Sequence, residues 1–223
     1  MFKAIIIGGT GATGKQLLIQ LIRNKNCELV TSIGRRPVLD GEKNDKLMDI
    51  VVESLFKLTA TEKYWKENDV FFNCIGTTRQ RAGGSKEFIN IESGISNEAA
   101  KMAANAKIPH ASLISAKGAN HKIWAKDWIH PLLYMKTIGQ KEQTIISNFS
   151  FNSVSIFKPG MLIRLQGKQI WFEGFSELKG FGLRVDTLAS AMIHDAERVS
   201  LGLVGKSPQY FIGNNHIKSS LEL

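Results

Sequence analysis

An apolar run, Lys3–Ile7, passes directly into Gly8-Gly9-Thr10-Gly11-Ala12-Thr13-Gly14, and that turn opens a helical stretch, Lys15–Asn24. Gly8, Gly11 and Gly14 satisfy Gly-x-x-Gly-x-x-Gly, and Gly9, Gly11 and Gly14 satisfy Gly-x-Gly-x-x-Gly. A turn between a buried strand and a helix needs residues that tolerate positive φ and leave no Cβ between backbone and ligand. The helix that follows presents free amide donors and the positive end of its dipole, so the arrangement suits a pyrophosphate. Strand, glycine turn and helix in this order predict a dinucleotide-binding fold with Gly8, Gly9, Thr10, Gly11, Ala12, Thr13 and Gly14 around the phosphates.

The rest of the chain continues that alternation. Strands are predicted at Glu28–Ile33, Leu47–Val52, Val70–Ile75, Ala111–Ser115 and Ser153–Phe157, several of them apolar at consecutive positions, as strands covered on both faces are. Helices are predicted at Glu87–Asn105, from Pro131 to about Ser147, and at Asp186–Val199, with a short strand near Tyr210–Ile212. Met161–Gly182 is rich in glycine and aromatics and reads as irregular; its Trp171, Phe172 and Phe175 suit either an apolar substrate wall or the core. The expected architecture is α/β: a Rossmann-type doubly wound parallel sheet in a single domain of 223 residues. Residues 1–158 form the cofactor core and 159–223 a less regular substrate-side region.

The second strand indicates which dinucleotide. A site for NAD places a carboxylate there for the ribose hydroxyls. This chain reads Ile33-Gly34-Arg35-Arg36-Pro37, with no carboxylate until Asp40. Guanidinium groups match a phosphate bidentately, so Arg35 and Arg36 predict NADP(H).

The net charge of +9 favours an anionic ligand or reflects a lysine-rich solvated surface. No zinc spacing or RNA-binding aromatic signature accompanies it, so nucleic acid is not an expected partner. No apolar stretch is long enough to span a membrane. Two cysteines, Cys27 and Cys74, imply no disulfide framework, and the run Phe2–Ile7 ends in glycine rather than in a leader pattern. These features set the expectation of a cytoplasmic address, with nuclear presence open.

Several segments together, GGTGATGKQLL, IGRRP, Cys74–Arg79 with its Gly-Thr-Thr-Arg, Leu113–Ala119 and Phe157–Gly160, resemble the Tat-interacting-protein-type oxidoreductases. These are an atypical branch of the short-chain dehydrogenase/reductases, and the resemblance runs nearly end to end. It implies that Gly76 and Thr77 lie under the cofactor, that Pro159-Gly160 begins the segment passing the nicotinamide, and that Ser115 and Tyr134 are catalytic. It also implies regulatory protein partners for some members.

One position departs from the superfamily. A lysine four residues after the tyrosine normally reaches the nicotinamide ribose and lowers the tyrosine pKa from its free value of about 10. Here that position is Ile138. Lys141 returns to nearly the same helical face two turns on, and Lys136 lies off it; either replaces the missing lysine, or neither does. Lys117, Lys122 and Lys126, between serine and tyrosine with Trp124 and Trp128, are candidates to meet an anionic substrate, or are simply solvated. Two functions remain: an NADP(H)-dependent reductase of a small carbonyl substrate, with Tyr134 as general acid and Ser115 on the substrate oxygen, or a catalytically weak or inactive NADPH-binding regulatory protein.

Overall fold

The computed structural model describes residues 1–126, 130–164, 182–205 and 208–222. In chain order its elements begin with β1 (Phe2–Ile7), α1 (Ala12–Arg23), β2 (Cys27–Gly34), β3 (Leu47–Val51) and β4 (Val70–Asn73). Two short helices follow, α2 (Arg79–Ala82) and α3 (Ser85–Ile89), then a π-helical turn (Asn90–Ile95) that leads into α4 (Ser96–Asn105). The chain continues through β5 (His110–Ile114), α5 (His130–Asn148), β6 (Ser153–Lys158) and β7 (Met161–Ile163), and later β8 (Gly182–Arg184), α6 (Val185–Ser200), β9 (Gln209–Ile212) and α7 (Asn214–Ser219).

Seven strands form one all-parallel sheet in the order β3-β2-β1-β4-β5-β6-β9. The period-2 geometry of a strand divides β1 between two cores. Ala4 and Ile6 pack with Leu17, Leu18 and Leu21 of α1 and Leu188 and Met192 of α6 on one face. Ile5 and Ile7 pack with Ala99 and Met102 of α4 and Ile145 of α5 on the other. Burying each of Ile5, Ile6 and Ile7 completely contributes roughly 1.5–3 kcal/mol. This is the Rossmann-type doubly wound sheet that the alternating pattern predicts.

The strand order reverses between β1 and β4, so their carboxyl ends diverge into a crevice, where ligands of such sheets bind. Among the described residues no helix is long and apolar enough to cross a membrane.

Three details differ from the sequence expectation. The helix expected over Glu87–Asn105 starts earlier and is interrupted by the π turn, which turns Glu92 into the interior. Met161–Gly182, expected to be irregular, supplies β7 and β8 at its two ends, paired in parallel; Trp171, Phe172 and Phe175 lie outside the described residues, as does Trp128. Finally, β9 joins the main sheet beside β6, so residues beyond 158 also build the sheet itself.

Candidate active site

At the carboxyl ends of β1, β4 and β5 lies a cleft of about 410 Å3. One wall is Thr10–Thr13 of the glycine turn, the floor is Cys74–Thr78 after β4, and the far wall carries Ser115, Tyr134, Ile138 and Lys141. Another hollow, about 280 Å3, sits at the amino ends of the strands near His110, away from the glycine turn.

The turn is held by close backbone approaches that only glycine permits. Gly8 has φ +89°, and a Cβ there would stand 2.6 Å from the Cys74 carbonyl oxygen. A Cβ on Gly14 would stand 2.1 Å from the Gly8 carbonyl oxygen. Gly11 is the N-cap of α1, with no side-chain cap and no acidic residue in the first turn. The amides that open α1 therefore face the cleft without a protein acceptor from a capping side chain, which is the donor set a pyrophosphate needs. The glycine cradle and the uncapped helix fit a dinucleotide.

Arg35 and Arg36 follow β2, whose end pairs with that of β1 at Ile33–Ile7, so both stand exposed beside the glycine turn. Neither side chain has an ion pair or hydrogen bond among the described residues, and neither lines the 410 Å3 cleft itself. Gly76 and Thr77 do line it. Pro159 and Gly160 do not: the Pro159 carbonyl accepts from the Lys117 amide (2.7 Å), and the Gly160 amide donates to Asn214 Oδ1 (2.9 Å). The cleft wall past β6 is instead Leu162 and Arg164.

Two buried ion pairs support the far wall. Lys141 Nζ lies 3.0 Å from Glu92 Oε2 and 3.3 Å from the Ile75 carbonyl, with both side chains 1% exposed. The second Glu92 oxygen accepts from the Thr77 amide at 2.6 Å, so the pair fixes the loop after β4. Behind Ser115, Glu142 accepts the serine hydroxyl and is paired with Lys158 Nζ at 2.8 Å, which also donates to the Ala119 carbonyl. Glu92, Lys158, Arg81 and Arg164 were not singled out by sequence reasoning. Lys141 was, and it does face the cleft, but with its charge engaged by Glu92. Lys117, Lys122 and Lys126 do not line the cleft; Lys126 Nζ lies 5.5 Å over the exposed Trp124 ring.

Tyr134 stacks on Phe88 with ring centroids 5.8 Å apart, and its hydroxyl makes no hydrogen bond among the described residues. Burial, and then the Glu92 carboxylate, raise its pKa above the usual 10, with Arg164 opposing them. A phenol so placed holds its proton at neutral pH and can donate it, but is no base. Cys74 is no nucleophile, because burial pushes its thiol up to about 12 despite the nearby Lys141.

No family model matches the chain. The protein FMP52, mitochondrial, of Meyerozyma guilliermondii is 31% identical over 176 residues, which are 78% of this chain and 70% of that protein. The chain belongs to the FMP52 and HTATIP2 family of atypical short-chain dehydrogenase/reductases. The rat protein HTATIP2 is 30% identical over 158 residues, 71% of this chain and 62% of its own length. The match thus spans about two thirds of these relatives.

Among solved structures, the oxidoreductase ylbE of Lactococcus lactis superposes with TM-score 0.68 at 16% identity, covering 99% of this chain and 95% of that one. MoeE5, solved with UDP-glucose and NAD, superposes with TM-score 0.64 at 14% identity, covering 95% and 86%. Both likenesses concern the fold.

The relatives correct the cytoplasmic expectation. FMP52 proteins of Meyerozyma guilliermondii, Debaryomyces hansenii, Scheffersomyces stipitis and Candida albicans are all designated mitochondrial, which points away from the cytosol.

Proposed function

We propose that this chain, a single domain, binds NADP(H) in the cleft and reduces a small carbonyl compound, and that it does so in mitochondria, as the designation of its FMP52 relatives suggests. The observation that carries the reading is the junction of two features in one cleft. The uncapped glycine turn lies on one side, and on the other stand Ser115 and Tyr134, whose hydroxyl makes no hydrogen bond among the described residues and whose pKa is raised by burial.

The amides of Thr10–Thr13 would hold the pyrophosphate, with Gly8, Gly9 and Gly14 keeping the backbone clear. Arg35 and Arg36 would take the 2′-phosphate, which is the basis for NADP(H) over NAD(H). Thr77 and Gly76 would lie beneath the nicotinamide half, with Pro159 and Gly160 anchoring the strand end from which Leu162 and Arg164 reach the cleft. Bound there, NADPH would supply the hydride that reduction of a carbonyl carbon requires. Tyr134 supplies the proton to the carbonyl oxygen as general acid and recovers it from water. The raised pKa of Tyr134 keeps the phenol in the protonated form that donates in the reduction, whereas alcohol oxidation would start from the phenolate. Ser115 already donates its proton to Glu142, so it positions the substrate oxygen only after rotating that proton away.

The test is carbonyl-dependent loss of NADPH absorbance across an aldehyde and ketone panel, with Tyr134→Phe as the control. Turnover that falls at least about a hundredfold in the variant supports the reading. A second reading, a catalytically weak NADPH-binding regulatory protein that engages another protein, is favoured by one observation: Ile138, not a lysine, faces the cleft, and Lys141 is committed to Glu92. NADPH binding with no turnover, gained on Ile138→Lys, would favour it.

A further inference from the structure

The charges at the reactive end of the cleft do not balance. Arg81, in the loop and short helix after β4, and Arg164, just past β7, both line it, and neither guanidinium has an acceptor or carboxylate partner among the described residues. Among the described residues the only carboxylate lining the cleft is Glu92, and both of its oxygens are already engaged by Lys141 and the Thr77 amide.

The dinucleotide does not account for the two arginines. Its pyrophosphate has the α1 amides and its 2′-phosphate has Arg35 and Arg36. Those groups lie at the ends of β1 and β2, whereas Arg81 and Arg164 come from the segments after β4 and β7, on the side of Tyr134. Arg164 is within electrostatic reach of the Tyr134 phenol, where the reacting oxygen would sit.

We infer that the substrate is a carbonyl compound carrying its own oxyanion, a carboxylate or a phosphate, which Arg81 and Arg164 clamp so that the carbonyl faces Tyr134. The inference rests on the NADP(H)-dependent reading above. Guanidinium forks match both oxyanions, and a charge-assisted pair of this kind fixes orientation as well as affinity. It also protects the acid. A bound oxyanion would offset the pull of Arg164 on the phenol, leaving burial and Glu92 to keep Tyr134 protonated while the substrate is in place.

The experiment uses the full chain with Arg164→Gln and Arg81→Gln. NADPH affinity is measured first by fluorescence. The NADP+-loaded protein is then titrated calorimetrically with 2-oxobutanoate, glyceraldehyde 3-phosphate and the uncharged 2-butanone. The expected result is that one of the two anionic probes binds at least tenfold more tightly than 2-butanone. That preference falls at least tenfold in each variant, while the NADPH dissociation constant shifts less than threefold. The anionic probe showing the arginine-dependent preference identifies the oxyanion. Equal binding of charged and uncharged probes overturns the inference and leaves the cofactor reading standing. A tenfold loss of NADPH affinity in the variants also overturns it, by assigning the arginines to the dinucleotide. Absence of NADPH binding by the unmodified chain defeats the cofactor reading and the inference with it.

Discussion

Replacing Lys141 with methionine should unfold the far wall of the cleft more severely than the loss of one surface charge would. The ammonium lies 3.0 Å from Glu92 Oε2, and both side chains are 1% exposed, so solvent offers the abandoned carboxylate almost nothing. Removing one partner of such a pair costs about 3–5 kcal/mol, because the other charge stays buried and uncompensated. Against a total stability of order 5–15 kcal/mol, that is a large fraction. Glu92→Gln alone keeps an acceptor for the Thr77 amide but leaves the ammonium with only the Ile75 carbonyl. The double variant Lys141→Met with Glu92→Gln removes both charges and should recover to within about 1–2 kcal/mol of the unmodified protein, since an uncharged replacement of a buried pair is often near neutral. With each single variant costing about 3–5 kcal/mol, the coupling energy of the cycle is about 4–9 kcal/mol. Urea unfolding at pH 7, followed by circular dichroism with the slope compared across all four proteins, measures it. A Lys141→Met loss below about 1 kcal/mol, or a double variant no better than the sum of the singles, would refute the argument that the pair is a coupled, desolvated unit.

Three further outcomes are expected. Gly8→Ala forces a side chain to φ +89° and against the Cys74 carbonyl; it should lower the melting temperature by several degrees and abolish NADPH binding, and an unchanged affinity would contradict the cradle. Arg35→Ala with Arg36→Ala should raise the NADPH dissociation constant about ten- to a hundredfold and leave NADH little changed, as fluorescence titration of both cofactors would reveal. Where α6 packs on β5, burial raises Asp195 of α6 from 3.8 to about 6 and lowers His110 of β5 from 6.5 to about 3. Asp195 therefore contributes stability that is full below pH 3.8 and lost as pH rises through 6. His110 contributes stability that is full above pH 6.5 and lost as pH falls towards 3, so between pH 3.8 and 6 the two slopes oppose each other. Asp195→Asn should remove the first slope and gain about 3 kcal/mol relative to the unmodified protein between pH 4 and pH 7; parallel urea midpoints at the two pH values would be inconsistent with this.

The parts of the site legible in the sequence are those encoded over short stretches. Gly8–Gly14 between an apolar strand and an amphipathic helix carries its own geometry, and the alternation of Leu17, Leu18 and Leu21 marks the face of α1 that meets the sheet. Consecutive apolar residues in β1, β4 and β6 foretold a sheet covered on both faces. What stayed hidden depends on pairs distant in sequence. Glu92 reads as one more polar residue in a helical pattern until the π turn brings it against Lys141, 49 positions later. Lys158 looks like the solvated end of a strand, yet it is buried against Glu142. Arg81 and Arg164 acquire meaning only when the segments after β4 and β7 line one cleft with Tyr134. Even the missing lysine was half visible: helical spacing brings Lys141 back towards the cleft, but spacing says nothing about the carboxylate that occupies it.

Whether the glycine turn holds NADP(H) is decided by fluorescence titration of the purified, unmodified chain with NADPH. One NADPH should bind saturably per chain and be displaced by NADP+, with NADH at least tenfold weaker. A signal that does not saturate with either cofactor would contradict the claim at its base, and equal affinity for the two would remove the role given to Arg35 and Arg36.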